Sequence, residues 1–202
     1  MKTYSGSSDQ GNARGSVSVV VDQEGQEPYT LRHLIVHSPS GLGWGYQGSG
    51  PADLALSILA DNLGEAAAIP AHDRYDHAIA GMIQETGAWL LHQEFKRDVV
   101  ARLPQDRGVT LDGAAIEAWL APRRPELERL LRERRLLPLL GTRIALADGT
   151  VVDVLDIVDD ALVETLLVYA VGHSALHRTV ALAEVVQVLG PMPDDDGEAD
   201  TP

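Results

Sequence analysis

Apolar side chains recur at helical spacing over the middle of the chain. The clearest run begins at Pro51, whose missing N–H costs nothing in the first turn of a helix, and ends before Gly64. Spacings of three and four residues place the apolar side chains of this run on one face. The members of the stripe are Leu54, Ala55, Ile58, Leu59 and Leu63.

Three further helices are predicted downstream. The first covers residues 74–101, with Gly87 inside it as a kink or as a break into two helices. Thr110 is expected to cap a shorter helix that buries Ile116. A charged helix over residues 125–136 follows, with only a thin seam of leucines on its apolar side. The pattern therefore predicts a largely helical middle region.

Strands are predicted near the N-terminus, where β-branched and polar residues alternate. Residues 2–5 form one candidate strand, and residues 16–22, which read SVSVVVD, form a second that ends at a Glu-Gly turn. Residues 29–36 fit either a strand or a short helical turn. Together these segments predict an N-terminal β-hairpin.

The pattern changes again after Gly141. Four or five short β-rich runs, separated by turn residues, occupy about fifty residues, and a short Ala-Glu-Val run before the last of them suggests a single helical turn. This spacing is typical of a small SH3-like antiparallel β-barrel. The predicted fold class is therefore α+β, with a mainly helical N-terminal domain that carries a β-hairpin, followed by this barrel. The predicted boundaries are 1–121, a connector helix over 122–138, the barrel over 139–191, and a disordered acidic tail over 192–202.

Composition narrows the functional classes. The chain has no cysteine, which excludes disulfides, thiolate metal sites and cysteine nucleophiles. No apolar run approaches the ~18 residues of a membrane span, and the first fifteen residues lack the apolar core of a signal peptide. We therefore expect a cytoplasmic protein without a membrane partner.

Charge is distributed unevenly along the chain. The formal net charge is −14, made up of −7 over residues 1–121, +3 over residues 122–138 and −10 over residues 139–202. Nucleic-acid binding needs clustered Lys and Arg, so the charge argues against such a partner except through the arginine-rich stretch that begins at Arg123 and ends at Arg135. Helices commonly carry such charges merely for solvation, and this is the favoured interpretation of the stretch.

A glycine-rich loop precedes the helix that contains Pro51. Residues 41–50 carry five glycines, which permit positive φ and a close approach of a ligand, and the loop leads into a helix N-terminus that favours an anion. Two of the few aromatic residues in the chain lie inside the loop and offer flat faces to a base. The loop is neither a P-loop nor a dinucleotide fingerprint, since it has no Gly-Lys-Ser/Thr and its glycine spacing differs. The candidate ligand-binding residues are His37, Ser38, Trp44, Gly45, Tyr46, Gly48, Ser49, Gly50 and Asp53.

A purely structural interpretation of the same loop stays open. Its glycines would then form a tight crossover, and Trp44 and Tyr46 would pack against the following helix as core residues. Asp53 fits both interpretations, because it stabilises the first turn through the helix dipole but would repel an anion bound nearby.

The stretch from His37 to Leu59, HSPSGLGWGYQGSGPADLALSIL, resembles the hallmark of an uncharacterised family of small bacterial and phage proteins, a domain of unknown function. The resemblance covers residues 1–120. In one departure, the Phe-Glu pair usual before the tryptophan is Leu42-Gly43 here, which loosens the loop. Further matching segments are KTYSG at 2–6, HQEFKRDVVARLP at 92–104 and IEAWL at 116–120.

The resemblance implies no activity, substrate or cofactor, and its phage members imply a role in a host–virus encounter by association alone. No motif supplies metal ligands: Asp73 and His77 share a helical spacing but lack a third ligand. We therefore predict no metal and no cofactor.

Three functional classes remain. The leading one is a non-catalytic binding protein that holds a phosphate-bearing nucleotide or a similar anion at the glycine loop. The alternatives are a protein–protein interaction module or inhibitor without a small-molecule ligand, and a phosphoester hydrolase that uses His37 and Asp53.

Overall fold

The computed structural model describes residues 1–8, 17–160, 163–170 and 177–192. The chain divides into two compact units, the first from Met1 to Glu128 and the second from Arg129 onward. Each unit has its own apolar core. The division falls inside a helix, within the segment predicted to be a connector.

The first unit begins with strands rather than helices. The four strands are β1 (Lys2–Ser8), β2 (Val17–Gln23), β3 (Tyr29–Thr30) and β4 (Val109–Asp112). They form one antiparallel sheet in the order β3-β2-β1-β4. The two N-terminal strand predictions are confirmed. Of the two alternatives left open for residues 29–36, a strand is present over the first two residues.

Five α-helices follow: α1 (Ser49–Asn62), α2 (His77–Gln84), α3 (Gly87–Asp98), α4 (Gly113–Leu120) and α5 (Arg124–Leu136). Helix α1 packs against α3 and supplies most of the centre of the core. It is buried along eleven consecutive residues, which is why its apolar stripe is accompanied by buried small and polar side chains.

One helix prediction is confirmed in one of its two forms, and another is wrong. The segment predicted over 74–101 is broken into two helices at Gly87, which is the first residue of α3. Thr86 caps α3, and its Oγ1 accepts the N–H of Trp89 at 3.1 Å. Thr110 caps no helix: it lies in β4 and pairs with Ser5. Asp112 is the cap of α4 and accepts the N–H of Ala114 at 2.9 Å.

A mainly helical N-terminal domain with a hairpin is therefore the wrong description. Strand β4 returns from more than a hundred residues along the chain to pair with β1, and β3 extends the opposite edge. Tyr4 and Val21 from the sheet share one core with Leu56 and Phe95 from the helices. The first unit is a four-stranded sheet with helices packed on it.

The second unit contains β5 (Thr142–Leu146), β6 (Val151–Asp160), β7 (Val163–Ala170), β8 (His177–Ala181) and β9 (Val185–Pro191). They form an antiparallel sheet in the order β8-β7-β6-β5-β9. The predicted helical turn before the last strand is confirmed as a 3-10 turn over Leu182–Glu184.

The predicted SH3-like barrel is wrong, because this sheet is open. Closure would require pairing between the two strands at its ends, and the strand order places β8 and β9 at opposite edges without such pairing. The fold is α+β with two open antiparallel sheets. The predicted disordered tail lies outside the described residues, except for Met192.

Candidate functional site

Two of the five glycines in the glycine-rich loop have a backbone conformation that favours glycine. Gly41 has φ +121° and Gly45 has φ +80°, values in the region that residues with a side chain rarely adopt. The Gly45 N–H donates to the carbonyl of Val100 at 3.0 Å, which ties the loop to the segment after α3. Positive φ therefore explains two of the glycines without a ligand.

The other three glycines make room for the ring of Tyr46. A Cβ atom at Gly43 or Gly48 would lie 2.6 Å from atoms of this side chain, and one at Gly50 would lie 2.9 Å from its hydroxyl. No side chain fits at such distances unless the tyrosine moves. Tyr46 still exposes 42% of its surface, so it lies against the glycine backbone and faces solvent on its other side.

Trp44, the second aromatic residue of the loop, is a core residue. Only 3% of its surface is exposed, and its Nε1–H donates to the carbonyl of Pro104 at 3.0 Å. Its ring lies against Gly6 of β1, where a Cβ atom would be 2.7 Å away. Trp44 offers no face to a ligand in this arrangement, whereas Tyr46 does.

The loop ends at the N-terminus of α1. Gly48 is the N-cap residue in an extended conformation, and no side chain caps the helix. Pro51 is the third helical residue rather than the predicted first one. Within the described part of the chain, the N–H groups of Ser49 and Gly50 have no hydrogen-bond partner. Ser49 is an exposed residue and Gly50 is a buried one.

Asp53 lies one turn inside α1 and is fully buried. Its Oδ1 accepts the N–H of His37 at 2.9 Å, and its Oδ2 accepts the N–H of Ser38 at 2.9 Å and that of Val36 at 3.3 Å. The Nε2 of His33 lies 3.0 Å from the same Oδ2. The carboxylate therefore faces protein donors, and it acts on the candidate site through the backbone that it holds.

Ser38 is also turned inward. It is 2% exposed, and its hydroxyl donates to the carbonyl of Gly41 at 2.8 Å. Its role here is to close the turn that starts the glycine loop.

His37 meets a histidine that the sequence did not connect to it. Its Nε2 lies 3.0 Å from the Nε2 of His92, which is on α3. Both rings stack with Trp89, at centroid distances of 5.5 Å for His37 and 4.6 Å for His92. His37 is half-buried and His92 is 2% exposed, so the pair lies at the edge of the core.

The proton positions in this pair follow from the surrounding hydrogen bonds. The Nδ1 of His92 lies 2.6 Å from the carbonyl of Trp89 and must donate to it, which leaves Nε2 as an acceptor. Burial lowers the pKa of His92 to about 4, so this ring is neutral at pH 7. The hydrogen between the two Nε2 atoms therefore belongs to His37.

Residues 4–122 match the model of a family of unknown function (DUF6166). The chain belongs to this family. The resemblance seen in the sequence is thereby confirmed, and the second unit lies outside the matched residues. Comparison with curated proteins gave no match, and neither did comparison with solved structures.

The segments that carry the sequence resemblance to this family meet in the fold. His37 begins the long glycine-containing segment and His92 begins another, and their side chains touch. His92 was not among the candidate site residues predicted from the sequence. The one available signal was its place at the start of the HQEFKRDVVARLP segment.

The first two arginines of the arginine-rich stretch pair with acidic side chains. The guanidinium of Arg123 bonds to Glu94 at 2.8 Å and to Asp98 at 3.3 Å, and it lies 3.9 Å above the ring of Trp119. Arg124 pairs with Glu117. These ion pairs reduce the positive charge that Arg123 and Arg124 offer to phosphates.

No group of three or more histidine, aspartate or glutamate side chains in the described ranges converges on a metal position. The Asp73–His77 spacing considered in the sequence does not form one, and the neighbouring Asp76 caps α2 through the N–H groups of Ala78 and Ile79. In the same ranges, no helix is long and apolar enough to cross a membrane.

Proposed function

We propose that the DUF6166 domain of this chain is a non-catalytic binding protein that holds a phosphate-bearing nucleotide or a similar anion at the N-terminus of α1. The observation that carries the proposal is the uncapped first turn, in which the Ser49 and Gly50 N–H groups have no partner among the described residues. Free amides and the helix dipole together favour an anion.

Tyr46 supports the nucleotide part of the proposal. Its ring is fixed against three glycines, and its exposed face lies in the loop that leads to the free amides. A base stacked on such a ring gains about 1–3 kcal/mol. Trp44 takes no part in binding, because it is buried.

The sharpest test removes one N–H from the first turn without disturbing the helix. Proline is favoured at the first helical position, and Gly48 before it is extended, so Ser49→Pro is compatible with the fold. Ser49→Ala is the matched control, since it removes only the hydroxyl. We expect Ser49→Pro to weaken binding of inorganic phosphate and of nucleotides at least about fivefold at low salt, by loss of one charge-assisted hydrogen bond.

Isothermal titration of both variants separates the outcomes. Equal phosphate affinity in Ser49→Pro and Ser49→Ala would remove the helix N-terminus from the site. Substitutions at Gly48 or Gly50 are poorer tests, because an added Cβ would displace Tyr46 as well.

A second candidate, a protein-interaction module, is favoured by strand β9. Its side chains Val186, Val188 and Leu189 are 63%, 49% and 46% exposed, and the strand forms one edge of its sheet. Exposed apolar edge strands recruit an additional strand from a partner. Panning a peptide library against the wild type and Val188→Lys tests this: peptides that bind both equally do not use β9. The phage association noted from the sequence fits such a partner-binding role.

The hydrolase alternative has no supporting geometry. Asp53, its expected acid or base, is buried beneath backbone donors, and His37 directs its Nε2 at His92. We do not propose it.

A further inference from the structure

At the His37–His92 pair, two hydrogen-bond donors share one acceptor. The Nε2 of His92 carries the single lone pair of that ring, because Nδ1 donates to the carbonyl of Trp89. Two donors approach this lone pair, the Nε2 of His37 at 3.0 Å and the side-chain Nε2 of Gln93 at 2.7 Å. One lone pair can fully accept one hydrogen bond. One of the two donors is therefore left without an acceptor of its own.

The separation of the two imidazole nitrogens matches that of two ligands on one metal ion. Metal–nitrogen bonds of about 2.0–2.1 Å place adjacent ligand nitrogens about 2.9 Å apart in square-planar geometry and about 3.3 Å apart in tetrahedral geometry. The observed Nε2–Nε2 distance between His37 and His92 is 3.0 Å.

We propose that His37 and His92 form a two-imidazole site for a divalent transition-metal cation of the Zn²⁺, Ni²⁺ or Cu²⁺ class, with water and the carboxamide oxygen of Gln93 as further ligands. The cation takes the place of the hydrogen between the two rings, and His37 changes tautomer so that its Nδ1 carries this hydrogen instead of Nε2. Both Nε2 atoms then act as acceptors toward the metal, and Gln93 turns its amide to present oxygen instead of nitrogen.

The surroundings of His92 fit those of a metal ligand. Histidine ligands typically donate their second ring N–H to a carbonyl or carboxylate, which fixes the ring and its tautomer, and Trp89 supplies that carbonyl at 2.6 Å. Trp89 also holds both rings in place by stacking.

The charged side chains near the proposed site have opposite effects on cation binding. The negative charge of Asp53 is close enough to favour a cation at His92, and it also holds the backbone N–H of His37. Lys96 opposes a cation, because its Nζ lies 2.5 Å from the Oε1 of Gln93. The site is therefore expected to bind a metal with moderate affinity, and removal of the lysine charge should strengthen it.

The test is titration of the full chain with Cu²⁺ alone in a weakly coordinating buffer, followed by electron paramagnetic resonance. His92→Asn keeps a donor toward the Trp89 carbonyl and removes the ligand nitrogen, and His37→Phe keeps a ring against Trp89. We expect one equivalent of Cu²⁺ with nitrogen hyperfine splitting, and a loss of at least about tenfold in affinity in each variant. Lys96→Gln should raise affinity about two- to fivefold, and the exposed His77→Ala control should leave it unchanged.

A second measurement does not depend on the folding of the variants. In the wild type, substoichiometric Cu²⁺ should broaden the imidazole resonances of His37 and His92 before those of His33, His72 and His77. Equal affinity in the wild type and in folded His37→Phe, first broadening at another histidine, or no bound equivalent would each overturn the proposal.

Discussion

The two ends of helix α1 each use an aspartate, but the partners differ. At the N-terminal end, Asp53 is fully buried and accepts three backbone N–H groups of one continuous segment. At the C-terminal end, Asp61 is partly exposed and accepts side-chain donors from Lys2, Tyr4 and Tyr29, all at 2.8–2.9 Å.

The kind of donor determines how costly the loss of each carboxylate is. Backbone N–H groups cannot turn away, so loss of the Asp53 charge leaves buried donors unpaired. Lys2 and Tyr29 are partly exposed and can reach water when Asp61 is lost, whereas Tyr4 is buried. One aspartate therefore fixes the candidate site, and the other fastens the sheet to the helix.

The largest expected effect is at the N-terminal end. Asp53→Asn keeps the shape of the side chain but brings an amide donor against backbone donors, and we expect it to lower the free energy of unfolding by about 3–5 kcal/mol. Urea denaturation followed by circular dichroism measures this. A cost below about 1 kcal/mol would mean that the 36–38 backbone does not depend on the carboxylate.

Trp44→Ala tests whether Trp44 contributes as much as Asp53 to the free energy of unfolding. Emptying a buried tryptophan site should cost about 3–4 kcal/mol. Tyr46→Ala is the matched control, because that ring is 42% exposed and its loss should cost less than about 1.5 kcal/mol. Similar losses in the two variants would contradict the assignment of one residue to the core and the other to the surface.

The region at the N-terminal end of α1, where His37 contacts His92, should also be the more sensitive to acid. His92 has a pKa of about 4 in the folded protein, below its value of 6.5 when unfolded, so the unfolded chain binds the proton more readily. Its contribution to stability is constant above pH 6.5 and falls by about 3 kcal/mol as the pH drops to 4. Denaturation of the wild type and His92→Asn between pH 7 and pH 4 checks this: parallel curves would show that His92 is not the group responsible.

The smallest effect is expected at the C-terminal end. Asp61→Asn should cost about 1–2 kcal/mol, since the remaining amide oxygen can still accept from the buried Tyr4 while the partly exposed Lys2 and Tyr29 gain water. Tyr4→Phe isolates the most buried of these bonds and should cost about 1 kcal/mol. If Asp61→Asn destabilises the protein as much as Asp53→Asn, the contrast between the two ends of α1 is wrong.

The local pattern of apolar and polar residues was sufficient to predict the elements that have a clear periodicity of their own. The β-branched runs of β1 and β2, the apolar stripe of α1 and the charged α5 were all recognisable, because each shows its own periodicity over more than one turn or pair of residues. The four residues of β4 were not, because a strand this short is defined by its pairing with β1 and not by its own alternation.

Within the candidate site, the sequence determined the glycine loop, the helix that follows it and the scarcity of aromatic residues there. Only the tertiary structure decided what each residue does. Packing of α1 against α3 brings His37 to His92 across 55 positions of sequence, and ring contacts that no spacing encodes assign three glycines to Tyr46. The openness of both sheets was decided in the same way, since strand order depends on long-range hydrogen bonds that a local pattern of apolar and polar residues leaves undetermined.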